Sequence, residues 1–195
     1  MKSARSDIVK AMCLCWWWRQ KCSVLATEYP YGAADIVVLD VDNRLIETEV
    51  KVSIADLRND ARKSKHWKMR DAAGLPQLPD SGHGFGLGYR SRRIGGMTNP
   101  HRFLFAVPED IKVKALEVIG ELYPYAGLLV VDTNWDGVMI KDVPVVLTRR
   151  SRAFDSSPVS PEERRGYEVA MRTAVCKFAL GMARARVELN MKEVG

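Results

Sequence analysis

The stretch Ala33 to Ser53 restricts the fold more than any other part of the chain, because it holds two strand-length runs separated by a turn signal short enough to force a hairpin. The first run, Ile36-Val37-Val38-Leu39, is wholly apolar. The second, Leu45-Ile46-Glu47-Thr48-Glu49-Val50-Lys51-Val52, alternates, and Asp42-Asn43 lies between the two. Successive side chains of a strand point to opposite faces, so Glu49 and Lys51 share one face while Val50 points to the other, into a core. Parity across the turn then decides where Asp35 lies. An odd-numbered turn such as Val41 to Asn43 sets Asp35 opposite Glu49 on the same face; a two-residue Asp42-Asn43 turn does not. Two carboxylates and an ammonium group converging on a sheet surface need neutralising, and a divalent cation held by oxygen ligands does this. A solvated surface salt bridge would account for the same alternation.

Around this hairpin the sequence reads as an α/β chain. Residues 5 to 22 read as a helix with apolar positions at Ile8, Met12, Cys15 and Trp16, and Arg19 follows on the same side. Trp16-Trp17-Trp18 cannot all face one core, so at least one is turned to solvent or covered by another element. Ser23 to Thr27 gives a first strand. A helix from Ser53 or Ile54 to about Arg70 carries Asp56 in its first turn and Ile54, Leu57 and Ala61 inward, with Arg58, Arg62 and Lys65 recurring at helical spacing and Lys63 close by. His66, a lone histidine, either packs or touches a ligand. A strand at Phe103 to Val107, a helix from Pro108 or Glu109 to about Leu122, and strands at 127–132 and 137–141 follow. Continuous apolar strands separated by a helix predict a mixed β-sheet covered on both faces. Ser160-Pro161-Glu162-Glu163 is a capping box that opens a last helix to about Met191, whose stripe of Tyr167, Met171, Ala174, Val175, Phe178 and Met182 must bury against the core, the N-terminal helix or a second subunit.

A chain of 195 residues, 47% of them hydrophobic, can build one good core. The expected organisation is a core over 1–148 that includes an insertion at 71–100, a linker at 149–159 and a C-terminal helix at 160–195. No apolar run reaches the roughly 20 residues of a membrane helix and no secretory signal is evident, so a soluble, cytoplasmic protein without a membrane partner is expected. Cys13, Cys15, Cys22 and Cys176 lack zinc-ribbon or iron–sulfur spacing and read as reduced thiols. Charge is unevenly placed. Between Arg58 and Arg93 nine Lys/Arg face three acids, an excess equal to the net charge of +6 of the whole chain. A basic segment beside paired acids is where a phosphate backbone would pass. Residues 71–100 also hold seven of the fourteen glycines without a P-loop or dinucleotide fingerprint. With Arg90, Arg92 and Arg93, this long loop reads as a flap over nucleic acid or as plain disorder.

Asp35 and Glu49-Val50-Lys51 resemble the motif of the PD-(D/E)XK nuclease superfamily, whose core is a helix, three antiparallel strands, a helix and a further strand. More narrowly, Gly32-Ala33-Ala34-Asp35, Arg44-Leu45-Ile46, Glu49 to Ser53, Ala55 to Asp60, Arg102 to Pro108 and Ala126 to Asp132 look like the MmcB-type DNA-repair branch, over at most residues 23–148. The resemblance implies a restriction-endonuclease-like core and an Mg²⁺-dependent endodeoxyribonuclease of repair, recombination or phage DNA processing, with Mn²⁺ as an alternative ion. Asp35, Glu49 and Lys51 would be catalytic; Asp35, Glu49 and the Val50 carbonyl would ligate the metal; Lys51 would orient the attacking water. Arg58, Arg62, Lys63, Lys65, Arg90, Arg92 and Arg93 would contact DNA, with RNA as an open alternative, and a homodimer could form through either terminal helix. One departure weighs toward a second reading, a catalytically degenerate DNA-binding protein of the same fold. Many relatives carry a Glu on the first helix, and residues 8 to 22 here contain no acid. If Glu49 and Lys51 are exposed strand residues, removing either should cost less than about 1 kcal/mol of stability while abolishing cleavage.

Overall fold

The structure is a computed structural model that describes residues 4–27, 34–78, 100–134 and 144–173. Its centre is a six-stranded sheet whose spatial order follows the chain: β1 (Val24–Thr27), β2 (Ile36–Leu39), β3 (Leu45–Val50), β4 (Arg102–Pro108), β5 (Gly127–Val131) and β6 (Val145–Arg149). Strand β2 is antiparallel to both β1 and β3, β3 to β5 run parallel, and β6 returns antiparallel to β5. Such a mixed sheet needs cover on both faces, and it has it.

On one face lies α1 (Ala4–Arg19), which packs Val9, Met12, Cys13 and Trp17 against Ile36, Val38, Ile46, Val50, Leu104, Ala106, Leu129 and Val131. The inner side of this helix differs from the sequence expectation. Ile8 is exposed, and Val9 and Cys13 take the buried positions. The three tryptophans divide as their crowding requires: Trp17 is buried and donates its indole N–H to Thr48 Oγ1 at 3.2 Å, whereas Trp18 is 67% exposed.

On the other face α2 (Ile54–Asp60), α3 (Ser64–Ala72) and α4 (Lys112–Leu122, entered through a 3₁₀ turn at Glu109–Ile111) enclose Leu57, Phe103, Phe105, Val107, Ile119, Leu128 and Val130. One helix was expected from residue 53 or 54 to 70; two form. Ser53 caps α2 by accepting from the Asp56 N–H at 3.1 Å, but the chain breaks after Asp60 and restarts from an extended Lys63.

A helix over 161–173, α5, covers the β1–β3 end of the same face and buries Tyr167 among Val24, Val37, Leu39 and Leu45. Its capping box is reciprocal, with Ser160 Oγ accepting from the Glu163 N–H and Glu163 Oε2 from the Ser160 N–H, both at 3.1 Å. Of the apolar stripe, the positions from 174 onward lie outside the described residues, as does the expected strand at 137–141. Residues 149–159, expected as a linker, lie along the core: Arg152 and Phe154 donate backbone N–H groups to Tyr125 and His101, and Phe154 and Val159 are buried. Among the described residues no helix is long and apolar enough to cross a membrane.

The β2–β3 turn has the odd count. Leu39 pairs with Leu45, and Asp40 and Arg44 bond across the neck, leaving Val41, Asp42 and Asn43 as the loop. Asp40 Oδ1 accepts from the N–H groups of Asp42 and Arg44, both at 2.9 Å, and Asn43 adopts a left-handed φ of 57° that asparagine tolerates. Two contacts from downstream hold this turn: the Val159 N–H donates to the Asn43 carbonyl at 2.9 Å, and Arg164 donates to Asn43 Oδ1.

Candidate active site

Register places the acids. Ile36 pairs with Thr48, so one step further along the ladder Asp35 stands across from Glu49. On β3 the even-numbered residues face α1, as Thr48 shows by its bond to Trp17, while Glu47, Glu49 and the following Lys51 face α2 and α3. Asp35, at the mouth of β2, turns one oxygen into the ladder: Oδ2 accepts from the Val50 N–H at 2.9 Å. Its other oxygen meets Lys10 Nζ at 3.0 Å, and this lysine of α1 is itself buried.

Glu49 is held by two ammonium groups. Lys51 Nζ lies 3.4 Å from Oε2, and Lys65 of α3 contacts Oε1 while its charge sits 5.2 Å from the centre of the Phe103 ring. Lys51 is held more tightly from behind, by Asp60 Oδ1 at 2.7 Å, with Asp56 at 3.9 Å. Burial alone would lower the Lys51 pKa, but Glu49, Asp60 and Asp56 outweigh it and push it up to about 12. Burial would likewise raise the Asp60 carboxyl. Hydrogen bonds from His66, Lys51 and Lys63, with the Lys51 charge, instead hold it well below the usual carboxylate range.

His66 completes the line. Its Nε2 lies 2.6 Å from Asp60 Oδ2 and its Nδ1 2.7 Å from the Tyr125 hydroxyl. A carboxylate only accepts, so the proton belongs on Nε2, and Nδ1 accepts from Tyr125. Burial, against the pull of Asp60, lowers the His66 pKa and keeps the ring neutral, and burial raises that of Tyr125, which keeps its proton. Of the two roles open to His66 from sequence, the structure shows packing: it is fully buried between Phe103, Phe105 and Tyr123.

The structure brings together Glu49, Lys51 and Lys65 and places Lys63 on Asp60, while Asp35, across the ladder from Glu49, bonds to the Val50 N–H and to Lys10 of α1. Arg58 and Arg62 stand apart on the exposed side, Arg58 3.4 Å from Glu121 of α4. Arg90, Arg92 and Arg93 lie outside the described residues. One expectation is corrected: Glu49 and Lys51 are not exposed, with 6% and 4% of their surface accessible. Sequence reading missed Lys10, Asp60, His66 as a network member, and Tyr125. A buried lysine among Val9, Met12 and Cys13 leaves no periodic signal, and Asp60 and His66 meet only because the helix breaks between them.

In oxygen chemistry Asp35 and Glu49 suit a hard divalent ion. Among the described residues no three His, Cys, Asp or Glu side chains cluster as a metal site, and the three cysteines there are free thiols, Cys13 made unreactive by a burial that raises its pKa.

No family model and no curated protein matches this chain. Among solved structures it is similar to the SPO1766 protein of unknown function from Silicibacter pomeroyi, with a TM-score of 0.51 and 15% sequence identity over 95% of this chain and 96% of that one. The likeness shows a shared α/β fold over nearly the whole of both chains.

Proposed function

We propose that this chain is a PD-(D/E)XK-type nuclease that hydrolyses DNA phosphodiester bonds with Mg²⁺, as an endonuclease. The observation that carries the reading is the hairpin register, which sets Asp35 across from Glu49 with Lys51 one face-step further, 3.4 Å from the Glu49 carboxylate. The succession of α1, three antiparallel strands, α2 and α3, and then β4 supports it, as does the basic excess after β3. Asp35, Glu49 and the Val50 carbonyl would hold the ion, which supplies an acidified water and neutralises phosphoryl charge. Lys51 stands beside Glu49 to orient that water and to stabilise the anion that develops. Lys10 pairs with Asp35 and Lys65 with Glu49. An entering phosphodiester offers both ammonium groups another anionic partner, and Arg58 and Arg62 take phosphates on either side.

A second reading, a DNA-binding protein of this fold without turnover, draws on one specific contact: α1 presents the cation Lys10 to Asp35, and its one acid, Asp7, stands in the first turn. Purified protein incubated with supercoiled and branched DNA in Mg²⁺, Mn²⁺ or EDTA separates the two. Cutting in either metal that stops in EDTA and in Glu49→Gln is the expected result. Binding that survives EDTA without cutting supports the second reading, and neither binding nor cutting removes both.

A further inference from the structure

Behind Lys51 runs an unbroken line of hydrogen bonds. Lys51 Nζ donates to Asp60 Oδ1 at 2.7 Å, His66 Nε2 to Asp60 Oδ2 at 2.6 Å, and the Tyr125 hydroxyl to His66 Nδ1 at 2.7 Å. All four residues are buried, and they come from four places: the end of β3, the end of α2, α3, and the turn before β5. Burying such a line desolvates every member, and apolar side chains often fill such a space at less cost. What the line supplies instead is orientation. A lysine ammonium rides on a four-carbon stem with much rotamer freedom. Lys51 Nζ is 3.4 Å from Glu49 but 2.7 Å from Asp60, so the stronger hold comes from the side away from the carboxylates of the hairpin. Asp60 is also contacted by Lys63, whose side chain is half exposed, and a carboxylate able to rotate could follow that lysine outward. The His66 bond on the second oxygen prevents this.

We propose that Asp60, His66 and Tyr125 are positioning residues: Asp60 fixes the Lys51 ammonium beside Glu49, and His66, set by the Tyr125 hydroxyl, locks the Asp60 carboxylate. The inference rests on Lys51 acting in the nuclease site, and its test does not depend on cleavage. In the ¹⁵N-labelled full chain the Lys51 side-chain ammonium, identified by its loss in Lys51→Arg, gives a resolved signal with slowed hydrogen exchange. In Asp60→Asn that exchange quickens about tenfold or more, as loss of a charge-assisted bond implies, and in Tyr125→Phe, which keeps the ring and its packing but removes the neutral bond that sets His66, it quickens by a smaller, measurable factor. On DNA the same variants lower kcat about 10- to 100-fold with KM unchanged, the effect of a misplaced group rather than of lost binding. A wild-type Lys51 signal without slowed exchange, or exchange in Tyr125→Phe equal to wild type, overturns the proposal. If the wild type cuts no DNA, the spectra still decide the positioning role and the nuclease reading alone falls.

Discussion

Lys51 and Asp60 show how far a single buried contact changes what a substitution should do. With both buried and 2.7 Å apart, Lys51→Ala leaves Asp60 and Glu49 each short of a cation, and the loss is expected to be about 3 kcal/mol in denaturant unfolding, against the small loss expected for an exposed strand residue. Glu49→Gln keeps the shape but removes the charge that Lys51 and Lys65 share, so its unfolding midpoint should fall as well and is to be measured beside its activity. The same groups set the pH dependence of stability. His66 has a native pKa below its ordinary 6.5, so the unfolded chain takes up a proton first and stability falls as pH drops below that value. Asp60 adds a second loss below 3.8. Lys51, raised to about 12, and Tyr125, raised above 10.0, act with the opposite sign: their contributions are full at neutral pH and disappear as pH climbs past the unfolded values of 10.5 and 10.0. Urea midpoints should therefore be level from about pH 7 to about pH 9, where the Cys13 thiol, also raised by burial, begins to ionise in the unfolded chain, and decline on both sides. A midpoint that rose between pH 7 and 5 would contradict a neutral buried His66.

At the scale of elements, the sheet is tightest where β5 begins. A Cβ added to Gly127 would lie 2.8 Å from the Ser151 nitrogen and 2.9 Å from the Arg149 carbonyl oxygen, both backbone atoms that cannot swing aside. Gly127→Ala should cost about 1–3 kcal/mol, read as a lowered melting temperature, through separation of the 149–151 segment from β5. Much of the element order was legible in the sequence because strong local signals agreed with the fold: the wholly apolar β2, the Asp-Asn turn and the Ser160–Glu163 capping box. What was not legible came from tertiary contacts. Helix α1 is apolar nearly all round, so its sequence does not single out Val9 and Cys13 as the inner pair; the sheet does. No Gly or Pro marks the break at residues 61–63, which lets Asp60 and His66 meet over Lys51. Strand β6 is an edge strand that leaves Val146 and Leu147 exposed, and its run is short. For the site, the sequence left the parity of the turn open and the register settles only that Asp35 stands across from Glu49; the lysines that neutralise these two come from α1 and α3, which no local pattern connects to the hairpin.

For the whole molecule, the described part of the charge excess, Arg58 to Arg70, lies on α2, α3 and the turn between them. Lys63 and Lys65 turn inward onto Asp60 and Glu49, while Arg58 and Arg62 remain at the surface. Arg58→Ala and Arg62→Ala should each weaken DNA binding evenly across sequences and reduce the salt slope by about 1, measured by titration at several ionic strengths. A change in sequence preference instead would mean that these residues read bases. Asn43 adds a consequence for how the molecule is completed. The hairpin leaves the ribosome long before Val159 and Arg164, which lies 121 positions beyond the asparagine it contacts. Until that stretch emerges the loop has no clasp, and a one-residue slip would send Asp35 and Glu49 to different sides. A stretch synthesised more than a hundred residues after the hairpin is the one that clasps the turn on which the alignment of the acids depends.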